Sequence, residues 1–295
     1  MTGPGPAPSA VLDRFGIGPK DRIGAGGEAT VYALGTDRIL RVAHADTGID
    51  DFRARYDLLA ELGRDPLPFA LPELLDTGET AGRHWAVERR YPGRPLAAAL
   101  PDTRGASRRR LIEAALDAAA ALGDLTLVPR PWFGDLIGAE PVHSDTFAGW
   151  LLARAASGLA RSTPECRAVD PEPIAAALVA ALGPEPTPPD FLHLDVAPSN
   201  ILTEFGRITA VLDIGPSSAV GDRRLDPGSA AVYWCEPAIA PAATEDDVAT
   251  VHAWLRNRGL TDLYAPVRRW LGAFWAFATD DPAALAFCRS VLFDA

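Results

Sequence analysis

Apolar and polar positions first alternate with a period of two. Between Arg22 and Ala45, apolar and β-branched residues alternate around Gly24, Gly26 and Gly27 and a turn at Gly35-Thr36-Asp37. That period predicts two antiparallel strands with a glycine-rich connection, then a third strand over 39–42. The period next becomes helical: Phe52, Tyr56, Leu59 and Leu62 share one face of a helix over 50–62 that ends before Gly63. Strand-like stretches return over 71–77 and 84–89 and close at Tyr91-Pro92-Gly93. Residues 11–91 are therefore expected to form a β-rich N-lobe with one helix, preceded by a flexible Gly/Pro/Ala-rich N-terminus over 1–10.

Beyond Pro101 the pattern is mostly helical. Ser107 is the expected cap of a helix whose Ile112, Leu116, Ala119 and Leu122 line one face as far as Gly123. Further helices are expected over 145–159 and 172–182. The stretch 191–214 reads as short apolar strands around a polar turn. Thr244 and Asp247 have capping-box spacing ahead of Val248, Val251 and Leu255, and Asp281-Pro282 opens a last helix. The fold class this implies is α+β, with a mostly helical C-lobe over 92–295.

Composition narrows the function. The chain has 295 residues, 48% of them apolar, enough for a sizeable core. No apolar run approaches the length of a membrane span, and no secretory leader is expected from MTGPGPAPSA. Cys166, Cys235 and Cys288 are too scattered for a disulfide framework or a zinc site and suit a reducing, cytoplasmic compartment. His143 and His252 lack metal spacing. With 28 basic and 39 acidic residues the net charge is −11, which disfavours nucleic acid and anionic membranes as partners. That charge suits a small, cationic ligand, or solubility alone. The expected partner is a small-molecule substrate, and the chain a monomer or weak dimer. Lys20 is the only lysine.

The chemistry concentrates in FLHLDVAPSNIL (191–202) and ITAVLDIG (208–215). Asp195 and Asn200 are five residues apart, and Asp213 follows thirteen later. A turn followed by a hairpin brings a carboxylate, an amide oxygen and a second carboxylate to one mouth. Hard oxygens of this kind suit Mg²⁺, which takes few protein ligands beside substrate phosphates, so Asn200 and Asp213 are the candidate metal ligands. Asp195 is left to orient a substrate hydroxyl and accept its proton. Gly24, Gly26 and Gly27, with Thr30, are candidates to cover phosphates, because bare backbone N–H groups approach anionic oxygens closely. Arg41 inside a strand needs an anionic partner, and a nucleotide phosphate would serve. Asp135 and Glu236 are candidates for an acidic acceptor pocket, with Glu140, Asp145, Asp246 and Asp247. Trp234 and Trp132 are candidate platforms; helix caps, solvated faces and the core offer the plainer explanation of all of these.

Taken in order, the glycine loop, a basic residue on the third strand, His193-x-Asp195 with Asn200, and Asp213-Ile214-Gly215 resemble the protein-kinase-like fold. Within it, the chain is similar to the aminoglycoside phosphotransferase family. About a hundred mostly helical residues separate VERRYPG from the candidate catalytic turn, no APE motif follows Asp213, and GDRRLDPGSA resembles the family's late Gly-Asp…Asp motif. NILTEFGRITAVLDIG is similar to the hygromycin-type members. The resemblance implies a bilobal enzyme that transfers the γ-phosphoryl group of ATP or GTP, with Mg²⁺, to a hydroxyl of a small polar, cationic molecule such as an aminoglycoside. It implies Asp195 as base, Asn200 and Asp213 as magnesium ligands, His193 as a brace, Asp226 as a structural aspartate, and the backbone at Glu88 and Arg90 as the purine contact. The chain departs from the family at Arg41, where lysine is usual, and at Leu194 and Ile214. The usual helix glutamate is also missing, with Asp57 or Glu61 as its expected substitutes. Two alternatives remain: a metabolic kinase acting on an amino alcohol, sugar or macrolide, and a nucleotide-binding pseudokinase.

Overall fold

The structure, a computed structural model, describes residues 9–44, 47, 49–63 and 67–293. Residues 1–8 of the expected flexible N-terminus lie outside the described residues, but Ser9 and Ala10 do not belong to it. They open helix α1 (Ser9–Phe15), which buries Val11 and Leu12. Strands β1 (Arg22–Ala25), β2 (Ala29–Leu34) and β3 (Arg38–Ala43) are followed by helix α2 (Ile49–Glu61), β4 (Leu74–Thr80) and β5 (Arg83–Arg89). The five strands form an antiparallel sheet in the order β1-β2-β3-β5-β4. The strand expected from residue 71 starts three residues later, since Pro72 has no N–H to give a ladder.

Side-chain alternation along these strands decides what each face carries. Tyr32, Leu34, Leu40, Val42, Trp85 and Val87 pack on one face with Val11 and Leu12 of α1. Burying those two α1 side chains contributes about 3–6 kcal/mol before ordering costs. The intervening Arg41 and Glu88 must then project from the other face, toward α2.

The rest of the chain comprises β6 (Arg94–Pro95), α3 (Leu96–Ala99), α4 (Gly105–Ala121), β7 (Phe133–Asp135), β8 (His143–Ser144), α5 (Phe147–Ala160), α6 (Pro164–Arg167) and α7 (Pro171–Leu182). Then follow β9 (Asp190–Leu192), β10 (Ile201–Glu204), β11 (Arg207–Val211), β12 (Ala219–Gly221), α8 (Leu225–Cys235), α9 (Glu245–Asn257), α10 (Tyr264–Phe274) and α11 (Pro282–Phe293). Two small sheets, β11-β10-β6 and β8-β7-β12-β9, flank the turn that joins β9 to β10. Gly93 lets the chain enter the first of them: its φ is 106°, and a Cβ there would lie 2.6 Å from the Thr203 carbonyl oxygen.

Helix α4 starts before Ser107, which sits in its first turn and caps nothing; the N-cap position is Arg104. Its buried face runs Arg108, Leu111, Ile112, Ala115, Leu116, Ala118 and Ala119. Thr244 and Asp247 do form the expected capping box at α9. The sequence shows no helical period over α8, and the reason is physical. Ala230, Ala231 and Trp234 pack into one hydrophobic cluster while Leu225, Val232 and Tyr233 pack into another, so the helix is buried all round and shows no amphipathic period. Among the described residues, no helix is long and apolar enough to cross a membrane.

Candidate active site

After β9 the chain turns sharply. Leu194, fully buried, takes a φ of 60°, a left-handed conformation rare for a non-glycine residue. Helix α8 holds the turn from beneath with two side chains seven residues apart, hence on one face. The Asp226 carboxylate accepts the N–H groups of His193 (3.0 and 2.9 Å) and Leu194 (2.7 Å). Burial still pushes the Asp226 carboxyl up to about 7 against those donors. The Tyr233 hydroxyl donates to the Leu194 carbonyl (2.6 Å) and in turn accepts from Trp275 Nε1 (2.7 Å).

His193 Nε2 donates to the Leu212 carbonyl (2.8 Å), and its Nδ1 accepts the Asp195 N–H (3.2 Å). This is the neutral ring, and burial lowers the His193 pKa in keeping with it. The brace thus ties the turn to the strand end that carries Asp213. Asn200 Nδ2 donates to the Asp195 carboxylate and to the Asp195 carbonyl, both at 2.9 Å. Its Oδ1 remains as the atom to offer a cation. Burial, then repulsion from Asp213, pushes the Asp195 carboxyl up to about 8, with the Asn200 hydrogen bond opposing.

Asp213 follows β11 with a φ of 62°. Burial alone would raise its carboxyl. The Arg55 guanidinium at 3.0 Å and that of Arg41 at 3.5 Å outweigh it and hold the group at about 2. Arg41 also lies 3.6 Å from Glu88, whose carboxylate accepts the Tyr56 hydroxyl at 2.7 Å. Neither Asp57 nor Glu61 partners Arg41. Asp57 is exposed on the outer side of α2, and Glu61 is paired with Arg130 at 2.7 Å. The inward stripe of α2 reads Phe52, Arg55, Tyr56, Leu59, so the helix supplies a cation and a phenol while β5 supplies the carboxylate. Arg55 went unnoticed in the sequence. Its signal is a lone cation at i+3 from Phe52 and i−4 from Leu59.

Of these two cations Arg41 lines the cavities beneath the β1–β2 turn, and Arg55 stands behind Asp213. Arg41 Nε, Arg55 Nε and Arg55 Nη2 are buried with no hydrogen-bond acceptor among the described residues. Leaving such groups unmet costs roughly 1–3 kcal/mol each. Above them, the β1–β2 turn closes through Gly26 N–H to the Ala29 carbonyl (3.0 Å), and His44 meets both the Gly27 carbonyl (3.0 Å) and Thr30 Oγ1 (3.2 Å). A Cβ built at Gly24, Gly26 or Gly27 would meet nothing within 4 Å, so the backbone there borders open space.

Two cavities meet under this turn. One, of about 690 Å³, is bounded by Gly24, Val31, Asn200, Leu212, Tyr233 and Phe287. The other, of about 450 Å³, is bounded by Asp135, Glu140, Arg154, Arg161, Phe274 and Phe277. Arg41, Asp195, Asp213 and Trp275 line both. Among the described residues no cluster of three or more His, Cys, Asp or Glu forms a dedicated metal centre. The donor set of Asn200 Oδ1 and the ionised Asp213 fits Mg²⁺, which completes its shell with water and phosphate oxygens.

Several expected site residues are placed elsewhere. The Thr30 hydroxyl is buried on His44. The Glu88 side chain turns inward to Arg41, the Arg90 N–H is taken by the Asp37 carbonyl (2.8 Å), and neither residue lines the two cavities. Trp234 is wholly buried in the core, so it is no platform, and Glu236 is buried against Arg268. Asp247 is consumed by its cap and by Arg108. Trp132 stacks on His143 at 3.8 Å. Asp135 does reach the smaller cavity, but Trp150 Nε1 (3.2 Å) and the Val142 N–H (3.0 Å) already occupy its oxygens.

The model of the phosphotransferase enzyme family, APH, matches residues 21–268. No curated protein sequence matches the chain. Solved structures similar to it include a thermostable mutant of aminoglycoside phosphotransferase APH(4)-Ia in ternary complex with AMP-PNP and hygromycin B. That pair has a TM-score of 0.64 and 19% identity and covers 96% of each chain. The streptomycin-ATP-APH(2")-IIa ternary complex matches with a TM-score of 0.62 at 12% identity over 100% of this chain and 98% of that one. ADP-bound APH(2'')-Ib matches with a TM-score of 0.60 at 10% identity over 92% and 94%. At these identities the structural matches establish the bilobal, kinase-like α+β fold. With the family model spanning most of its length, the chain belongs to the phosphotransferase enzyme family.

Proposed function

We propose that this small-molecule phosphotransferase transfers the γ-phosphoryl group of ATP to a hydroxyl of a small polar acceptor, with Asp195 as the base. The observation that carries the reading is the junction of two cavities at a pair of carboxylates set in opposite surroundings, Asp195 on the Asn200 amide and Asp213 on two guanidiniums. The surroundings that raise the Asp195 carboxyl give its ionised form the proton affinity an acceptor needs, and the two guanidiniums keep Asp213 an anion. The larger cavity, beneath the glycine turn and beside Asn200, is the nucleotide side; the smaller is the acceptor side.

When bound, ATP would supply the transferable group and Mg²⁺ the positive charge that offsets its phosphates; Asn200 Oδ1 and Asp213 would hold the metal. Arg41, which lines both cavities, presents its guanidinium to phosphate oxygens, while Arg55 holds Asp213 from behind. Asp195, oriented by Asn200, takes the acceptor's hydroxyl proton as the new O–P bond forms and the bond to the leaving nucleotide breaks. Positioning and fixed charge supply most of the acceleration. Lysine is not required at Arg41, because a guanidinium holds oxygens in pairs and stays charged.

Aminoglycosides such as hygromycin B and streptomycin, carried by the similar solved structures, are the first acceptors to try; amino alcohols, sugars and macrolides follow. The experiment is incubation with Mg²⁺ and ATP or GTP, followed by mass spectrometry of the acceptor. A product heavier by one phosphoryl group, absent with Asp195→Ala, is the expected result. Nucleotide binding without transfer to any acceptor or to water would overturn it in favour of a pseudokinase.

A further inference from the structure

The larger cavity, of about 690 Å³, has two ends, and a nucleotide accounts only for the one under the glycine turn. Its other end is walled by Ala238, Ile239, Ala278, Ala283, Ala284 and Phe287. Ala238 and Ile239 follow α8, Ala278 follows α10, and the other three belong to α11. Phe287 is buried and the rest are half-buried, so hydrocarbon faces the opening. Tyr233 and Trp275 also line the cavity, but the indole N–H is spent on the phenol and the phenol on the Leu194 carbonyl.

A helix start beside a cavity ordinarily offers its first N–H groups to an anion. Those of α11 are already taken. Pro282 has no N–H, Asp281 Oδ1 accepts those of Ala283 (2.8 Å) and Ala284 (3.1 Å), and the Asp281 carbonyl accepts that of Leu285 (2.9 Å). The Ala278 N–H likewise goes to the Trp275 carbonyl (2.9 Å). Among the described residues Arg41 is the only cation in the lining, and it belongs to β3, on the glycine side. Phosphates and the polar edges of a purine would therefore find few donors at the α11 end, and a polyol would leave hydroxyls unmet against hydrocarbon. Yet this end adjoins the reacting centre. Asp195 lines the same cavity, and after burial and Asp213 the charge of Asp281 also raises its carboxyl.

We propose that the acceptor is an amphiphilic alcohol whose apolar limb, aliphatic or aromatic, fills the α11 end of the larger cavity while its hydroxyl lies against Asp195. Because Asp195 lines both cavities, the polar head of such a molecule extends into the smaller one, where Glu28, Asp135 and Glu140 form part of the wall. Moving the limb from water onto alanine, isoleucine and phenylalanine side chains adds affinity in proportion to the apolar area it covers. This deepens the phosphotransfer reading and rests on it. It departs from aminoglycosides, which carry polar groups on every side.

The test is calorimetric binding to the intact protein, with Mg²⁺ and a non-hydrolysable ATP analogue, of three pairs that share a hydroxylated head. They are methyl and hexyl β-glucoside, ethanolamine and phenylalaninol, and glycerol and its benzyl ether. In at least one pair the limbed member should bind tenfold or more tightly, with a more negative heat-capacity change. Ala284→Glu, which sets an acid in the first turn of α11 where helices tolerate one, should remove most of that preference. So should Ala278→Glu, in the preceding loop. Should either variant fail to fold, judged from its melting curve, the other decides; should both fail, the pairs on the parent decide. No preference in any pair, a preference that survives a folded variant, or tighter binding of streptomycin than of every limbed alcohol overturns the proposal. So does a loss of ATP-analogue affinity in Ala284→Glu as large as the loss for the limbed alcohols, since the purine would then occupy this end. The analogue is titrated in the same samples: if it does not bind the parent, the phosphotransfer reading falls as well; if it binds without any limb preference, only the acceptor inference falls.

Discussion

The turn bearing Asp195 and the strand end bearing Asp213 offer the same functional group to the same cleft and treat it in opposite ways. At the turn, the carboxylate receives one side-chain amide, sits in a desolvated corner and faces a second negative charge; its carboxyl rises to about 8. At the strand end, two guanidiniums from β3 and α2 converge on one oxygen, and the carboxyl stays near 2. Residue type does not set the two carboxyls apart; the surroundings do. The contrast also separates two kinds of energy. Asp195 is held in a state that costs stability at neutral pH, whereas Asp213 contributes to stability there.

The sharpest way to break this contrast is Asp195→Asn. Phosphoryl transfer should fall on the order of 10³-fold in steady-state kinetics, as expected for loss of a positioned base. The same variant should melt higher than the parent at pH 8. A carboxyl raised from 3.8 to about 8 on folding makes the native state the better proton binder, so stability drains as pH climbs between those values. Asp226, raised to about 7, adds to this slope. A parent whose melting temperature rises steadily from pH 4 to pH 8 would refute the assignment.

Next in size is Arg41→Met. Removing a buried cation that faces the phosphate side should raise the nucleotide KM about tenfold to a hundredfold, the scale of a charged hydrogen bond or two. An unchanged KM would show that nucleotide does not lie against β3.

Arg55→Gln tests the other corner. Asp213 has a side chain 45% exposed, so losing its nearer cation should cost only about 1 kcal/mol at pH 7. The sign is opposite to that at Asp195. A depressed carboxyl stabilises the fold above 3.8 and ceases to do so as pH drops through about 2, so parent and variant should converge in acid. A gap that stays constant from pH 7 to pH 2 in denaturant titrations would mean Arg55 acts by packing alone. The smallest effect is expected for Thr30→Val, which removes the His44 anchor of the glycine turn: a rise of about twofold to fivefold in nucleotide KM, from a hydrogen bond worth about 1 kcal/mol or less. No change there would mean that the Gly27 contact suffices.

The legible parts of this molecule are those in which chemistry follows the chain. Strand alternation around Gly24–Gly27, the α2 stripe and the Thr244–Asp247 cap depend on neighbours a few residues apart, and each shows in the pattern. The spacing of Asp195, Asn200 and Asp213 is likewise short enough that one turn and one hairpin unite them. What stayed hidden depends on partners far along the chain. Glu236 and Asp247 look like free acids until Arg268 and Arg108 arrive from other helices. The partner of Arg41 could not be read, because it lies on a neighbouring strand and not on the helix where a carboxylate is usual. Trp234 has the composition of a binding platform and the environment of a core residue, and only burial tells them apart.

The relay from Trp275 through the Tyr233 hydroxyl to the Leu194 carbonyl has a mechanical consequence. Trp275 forms part of the wall of both chambers, while Leu194 immediately precedes Asp195 and is bent into a left-handed kink. The wall shared by both chambers is therefore hydrogen-bonded, through one phenol, to the peptide on which Asp195 is mounted.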